Sequence, residues 1–166
     1  MEKGNLCMKI KMGGKWIAAL AAIALCMSVA ACGGSAADVD VNKAADAIKS
    51  GTTFTDELTK TDTENAEKLY QVDASLVQDV CVYIGTGATP EEIAVWKAKD
   101  DNGAAKLKEA AQGRLDTQKQ RFTDYNPEQM PKIESAVLEE SGKTVVLCIS
   151  ADNDKAKTAV SQALKG

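Results

Sequence analysis

There is no histidine anywhere in the 166 residues. This removes the commonest general base at neutral pH and the commonest transition-metal ligand. There is no apolar run long enough to cross a bilayer comfortably, which takes roughly 20 residues; the longest, Trp16 to Ala31, is shorter and is broken by Ser28. There is no internal repeat. Cysteine is sparse, and Cys81 and Cys148 lack both the histidine partner of a cysteine hydrolase and the close spacing of zinc or thioredoxin-like motifs. Positive charge is not in excess: the chain carries 20 basic and 24 acidic residues. That argues against a nucleic acid as a charge-driven partner.

What is present begins at the N-terminus. Lys3, Lys9, Lys11 and Lys15 precede the apolar run, and small residues close it. A basic start, a short apolar core and a small-residue end are the three parts of a secretory signal. The run finishes in Val29-Ala30-Ala31-Cys32, which resembles the lipobox of bacterial lipoproteins. The resemblance implies cleavage before Cys32, with 1–31 as the signal peptide, and a diacylglyceryl group on the Cys32 sulfur. Stable anchoring takes two acyl chains. From Cys32 onward 16 basic and 23 acidic residues remain, a net charge of −7. Gly33-Gly34-Ser35-Ala36-Ala37 reads as a flexible tether, so residues 32–39 form the lipidated start and 40–166 a single domain.

Within that domain, Val41, Ala44, Ala45 and Ile48 fall on one helical face, and Gly51 stops the helix. Thr52 to Thr63 is polar. A short helix is predicted over Glu64 to Tyr70, with Thr61 and Glu64 spaced as a capping box. Val80 to Ile84 and Glu92 to Ala98 read as strands separated by the Gly85-Thr86-Gly87 turn. Asp100 is placed to cap the longest helix, whose inward stripe is Ala104, Leu107, Ala111, Leu115, Gln118 and Phe122. Ala136 to Glu140 and Lys143 to Ile149 read as a hairpin around Ser141-Gly142, and a last helix begins at Asp152. The fold class expected is α+β: a small antiparallel or mixed sheet of three to five strands, with the long helix packed on one face.

Alternation assigns the strand faces. Val80, Val82 and Ile84 share one face, with Cys81 and Tyr83 on the other. Ile93 and Val95 oppose Ala94, Trp96 and Ala98. Val145, Leu147 and Ile149 oppose Val146 and Cys148. If the aliphatic faces meet the long helix, then Tyr83, Trp96, Cys81 and Cys148 gather on the far side. That side is either covered by the N-terminal helices or open as an aromatic patch, which makes Tyr83 and Trp96 candidate binding residues. A Cys81–Cys148 disulfide is open if the two strands are neighbours. Arg114 lies beside the helix stripe, with Tyr125 further along, and both are candidate binding residues. Arg114 is either an anion-binding guanidinium or a structural clamp. The acid pairs Glu91-Glu92, Asp100-Asp101 and Glu139-Glu140 read as solvated caps and turn flanks. Asp152-Asn153-Asp154 starts like a calcium loop, but Lys157 stands where the loop glycine belongs, so no metal is expected.

Leu69-Tyr70, Asp73, Val82-Tyr83, Glu92-Ile93-Ala94-Val95 and Arg114 through Gln118, Phe122, Tyr125 and Pro127 carry a further likeness. They resemble an uncharacterised family of Gram-positive lipoproteins, the domain of unknown function 4358 type. The resemblance implies an anchored α+β domain and brings no activity, substrate or cofactor. The expectation is therefore a non-catalytic surface lipoprotein, a binding or interaction module at the outer face of the cytoplasmic membrane. Its partners would be the membrane, through Cys32, and a protein of the envelope, with no cofactor. The alternatives are an envelope enzyme using carboxylate or serine chemistry, and an accessory subunit of a membrane transporter or sensor.

Overall fold

The computed structural model describes residues 38–165. The expected signal peptide and the lipid-attachment residue Cys32 lie outside the described residues. The order is α1 (Val41–Gly51), β1 (Thr59–Thr61), α2 (Thr63–Tyr70), β2 (Val77–Ile84), β3 (Glu92–Ala98), α3 (Asp101–Tyr125), α4 (Met130–Glu134), β4 (Val137–Ser141), β5 (Thr144–Ile149) and α5 (Asn153–Ala163). The five strands form one sheet in the order β1-β2-β3-β5-β4, and every neighbouring pair is antiparallel. This is an α+β fold with the long helix against one face.

Helices cover both faces. On one, α3 and α2 bring Leu107, Leu115, Phe122, Ala66 and Tyr70 onto Val80, Val82, Ala94, Trp96 and Leu147. On the other, α1 and α5 bring Val41, Ala45, Ile48, Ala156 and Val160 onto Cys81, Ile93, Val95, Val146 and Cys148. β3 and β5 are central, and every residue of β5 is buried. Each fully buried aliphatic side chain of these layers contributes roughly 1.5–3 kcal/mol.

Local chemistry explains the boundaries. Asp40 caps α1 by accepting from the amides of Asn42 and Lys43, and Asp100 caps α3 by accepting from the Gly103 amide at 2.7 Å. Asp152 caps α5 through the Lys155 amide. α2 is capped by Asp62, not by a Thr61–Glu64 box: Asp62 accepts from the Asn65 amide at 2.8 Å. Thr61 is instead the end of the short edge strand β1. β1 was not expected, because three polar residues have no alternation to show; its partner β2 makes it a strand.

The register corrects the expected grouping of faces. Directly opposed residues on antiparallel strands share a face. Trp96 is opposed to Val80 on one side and Val145 on the other, while Cys81 is opposed to Val95 and Cys148 to Ile93. Trp96 therefore lies under α3, opposite to Cys81, Tyr83 and Cys148, and it is fully buried. A register change of one residue moves a strand's whole side-chain set to the other face. The two cysteines do share a face, but β3 runs between their strands. Two strand spacings come to roughly 9–10 Å, beyond the limit of about 7 Å for a disulfide. Both thiols are free and buried.

Candidate functional site

The end of the sheet where β2 turns into β3 carries most of the buried charge. α3 has 25 residues, roughly 37 Å of helix. β3 has seven, roughly 24 Å of strand. The helix starts at the far end of β3 and runs back along it, so its last turns reach past the sheet to the 85–91 loop. Arg114, Gln118 and Arg121 arrive there one turn apart.

Glu91 and Glu92 are each 1% exposed, not solvated turn flanks. Alternation sends their side chains to opposite faces of the sheet. Glu92 accepts the Tyr70 hydroxyl and a forked pair from Arg114, with Nε at 3.1 Å and Nη2 at 2.6 Å from Oε2. Tyr70 in turn packs its ring against Trp96, with centroids 5.1 Å apart. Burial and the neighbouring Glu92 charge hold the Tyr70 phenol well above its ordinary pKa. Burial works against the Arg114 charge, but the Glu92 carboxylate outweighs it and raises the pKa. Arg114 is thus a clamp on Glu92.

Glu91 is held as tightly. The amides of Thr55 and Asp56 both donate to its Oε2 at 2.8 Å, and Lys132 donates to Oε1 at 2.8 Å. Asp56 then ties down the loop: its Oδ2 accepts from the Thr86 amide and hydroxyl, each at 2.9 Å, and from the Thr89 hydroxyl. Partial burial opposes the Asp56 charge, but the Thr86 bonds overcome it and keep the pKa below the usual carboxylate range. Gly85 packs closely here. A Cβ at that position would sit 2.7 Å from Asp56 Oδ2. Gly87 has φ +93°, the left-handed region that glycine adopts without strain.

Glu91 and Glu92 line a pocket of about 260 Å³, bounded by the loop, by Leu69 and Ile84, and by Arg114, Gln118 and Arg121. Arg121 Nη2 donates to the Gly87 carbonyl at 3.2 Å. Tyr125 stands outside at 64% exposed, its ring edge-on to Phe122 and its face toward the Arg121 guanidinium. Gln118 is 3% exposed, and its Oε1 has no hydrogen-bond partner.

The expected site residues are therefore scattered. Arg114 and Tyr125 belong to this end of the domain. Trp96 is core, and its indole N–H is buried without a partner. Tyr83 is half-buried on the α1 face, where its hydroxyl donates to Asp46 at 2.7 Å and Lys49 lies over its ring. The far side of the sheet is covered, by α1 and α5. The sequence reading missed Glu91, Glu92 and Arg121. A polar Gln118 within an otherwise apolar helix stripe was the one signal of a polar interior at this end.

Fold and site define a class: a three-layer α+β domain with a small polar pocket at one end of its antiparallel sheet. Residues 52–150, from the end of α1 through β5, match the family described as Domain of unknown function (DUF4358), and the chain belongs to that family. No curated protein matches the chain, and no solved structure does.

Proposed function

We propose that the chain is a lipid-anchored surface protein, a non-catalytic binding module held at the outer face of the cytoplasmic membrane through Cys32. The observation that carries this reading is the placement of the chain's entry relative to the pocket. Five residues separate Cys32 from Asp38, so a lipid on Cys32 would hold Asp38 within roughly 20 Å of the membrane surface. Asp38 is paired with Lys97, at one end of β3. The pocket opens at the Glu92 end, five strand residues or roughly 17 Å further on. A domain anchored in this way would present Tyr125, Arg121 and the 85–91 loop away from the bilayer, toward a partner.

The buried ionisable groups suit binding more than chemistry. Glu92 is neutralised by Arg114 and Glu91 by Lys132. Exposed tyrosine and arginine side chains together are a common composition for an interface centre.

The test has two arms. Mass spectrometry of the membrane fraction should find a diacylglyceryl adduct on an N-terminal Cys32, and Cys32→Ala should abolish membrane retention; an unmodified Cys32 defeats the anchor. Crosslinking on intact cells should capture a partner with the wild type and lose it with Tyr125→Ala at unchanged melting. Capture indifferent to Tyr125 defeats the binding surface.

A further inference from the structure

We infer that the pocket beneath Arg121 takes a small carboxylate: the end of an N-acylated amino acid, free or as the last residue of a peptide. This rests on the binding-module reading and names the ligand class of that site.

The argument starts from the hydrogen-bonding capacity left over. Glu92 is filled by Arg114 and Tyr70, and Glu91 by Lys132 and the 55–56 segment. The Thr86 and Thr89 hydroxyls are committed to Asp56. What remains is the Arg121 guanidinium, a donor, and the Gln118 side-chain oxygen, an acceptor. Arg121 has one hydrogen bond, to the Gly87 carbonyl, and its other N–H groups have no acceptor among the described residues. The Gln118 Oε1 accepts no hydrogen bond there, although the residue is nearly all buried and lines the pocket. A buried polar group with no partner is costly, and native structures seldom keep one without a reason. A ligand that meets the amide supplies one.

Charge selects among ligands that accept hydrogen bonds. With both glutamates paired, the charge left free to act in the pocket, among the described residues, is the guanidinium of Arg121. Asp56 stands behind the loop with its carboxylate saturated by threonines. With the glutamates already neutralised, one unpaired cation among the described residues suits a monoanion and disfavours a dianion such as phosphate. The planar guanidinium fork matches a carboxylate in two parallel bonds. Size agrees: about 260 Å³ lies just under the usual ligand range of roughly 300–1,000 Å³, which leaves room for one small residue. Gln118 both donates and accepts, so it complements the amide next to such a carboxylate. Leu69 and Ile84 supply the apolar wall.

The experiment uses the full-length chain in detergent micelles, with nitrogen-labelled Arg and Gln side chains followed by NMR. N-acetylglycine is the probe. N-acetylglycinamide, which lacks the charge, and inorganic phosphate are the controls, and a short peptide ending in glycine separates the free from the chain-terminal source. The expected result is a saturable shift of the Gln118 side-chain amide and the Arg121 Nε–H with N-acetylglycine or the peptide, and none with either control. Arg121→Gln should weaken binding about tenfold or more, with Arg121→Lys in between. Gln118→Leu should lose binding while melting at the same temperature or higher, because it removes an unsatisfied buried amide. No saturable shift, a shift unchanged in Arg121→Gln, or phosphate binding as well as the carboxylate overturns the inference. If Tyr125-dependent capture on cells survives such a result, only the ligand class falls; if that capture is also missing, the binding-module reading falls with it.

Discussion

Arg114 Nη2 lies 2.6 Å from Glu92 Oε2, and this contact joins the middle of α3 to the first residue of β3. Both side chains are nearly out of water, at 10% and 1% exposure. Removing one partner of such a pair leaves an uncompensated buried charge, at a cost of about 3–5 kcal/mol. Arg114→Met should therefore destabilise the domain by about that much in denaturant unfolding. Arg114→Met combined with Glu92→Leu should recover most of the loss, since an apolar pair leaves no orphan charge. Equal losses in the single and double variants would show that packing of the arginine stem, and not the pair, holds α3 in place.

Trp96 and Tyr125 should separate cleanly by stability. Trp96 is fully buried between Tyr70 and the α3 stripe, so Trp96→Ala should cost about 3–5 kcal/mol and visibly lower the melting temperature. Trp96→Phe should cost far less, because the indole N–H it removes has no partner. Tyr125→Ala, at an exposed position, should change stability by less than about 0.5 kcal/mol. Thermal melts of the three variants decide this; a Tyr125→Ala melt as low as that of Trp96→Ala would contradict the placement.

Thiol counting on the denatured, unreduced protein should find Cys81 and Cys148 both free. In the native state neither should react quickly. Desolvation raises the Cys148 thiol to about 12 and raises Cys81 as well, so little thiolate exists at neutral pH. Alkylation should track unfolding, and fast labelling of Cys148 in the folded protein would be the contrary result.

Tyr83 supplies a pH prediction. Its hydrogen bond to the Asp46 carboxylate, reinforced by partial burial, raises the phenol from 10.0 to about 12. A pKa raised in the folded state means a stabilising contribution that is complete below 10.0 and is lost as pH rises through about 12. Phenolate absorbance should show one tyrosine titrating near that value, and Asp46→Asn should bring it down toward 10.0. No change in Asp46→Asn would mean that the carboxylate is not the cause.

Much of the fold was legible in the residues. The stripe Ala104, Leu107, Ala111, Leu115, Gln118 and Phe122 is the buried face of α3, because helical period and apolar spacing coincide over many turns. Glu92 to Ala98 is a strand with those bounds, Asp100 caps α3 as its side chain allows, and the last helix starts from Asp152. The site was less legible. Glu91 and Glu92 look like any acid pair beside a turn, and nothing local marks that Lys132 and Arg114, 41 and 22 residues on, will bury them.

Residue order by itself marked the longer helices and the central strands, since periodicity, caps and turn residues act over a few residues; β1 and the Asp62 cap of α2 needed the fold. Residue order also determined that Cys81 and Tyr83 share one face and Trp96 and Ala98 share one face, since alternation is a property of a single strand. Only the tertiary structure decided how those faces combine. Register between β2 and β3 set Trp96 under α3 and away from the cysteines. The strand order put β3 between Cys81 and Cys148. The length of α3 carried Arg121 and Gln118 past the end of the sheet to the 85–91 loop. Each of these depends on contacts between residues distant in sequence. Pairing energy and burial select them among many arrangements that the local signals leave equally open.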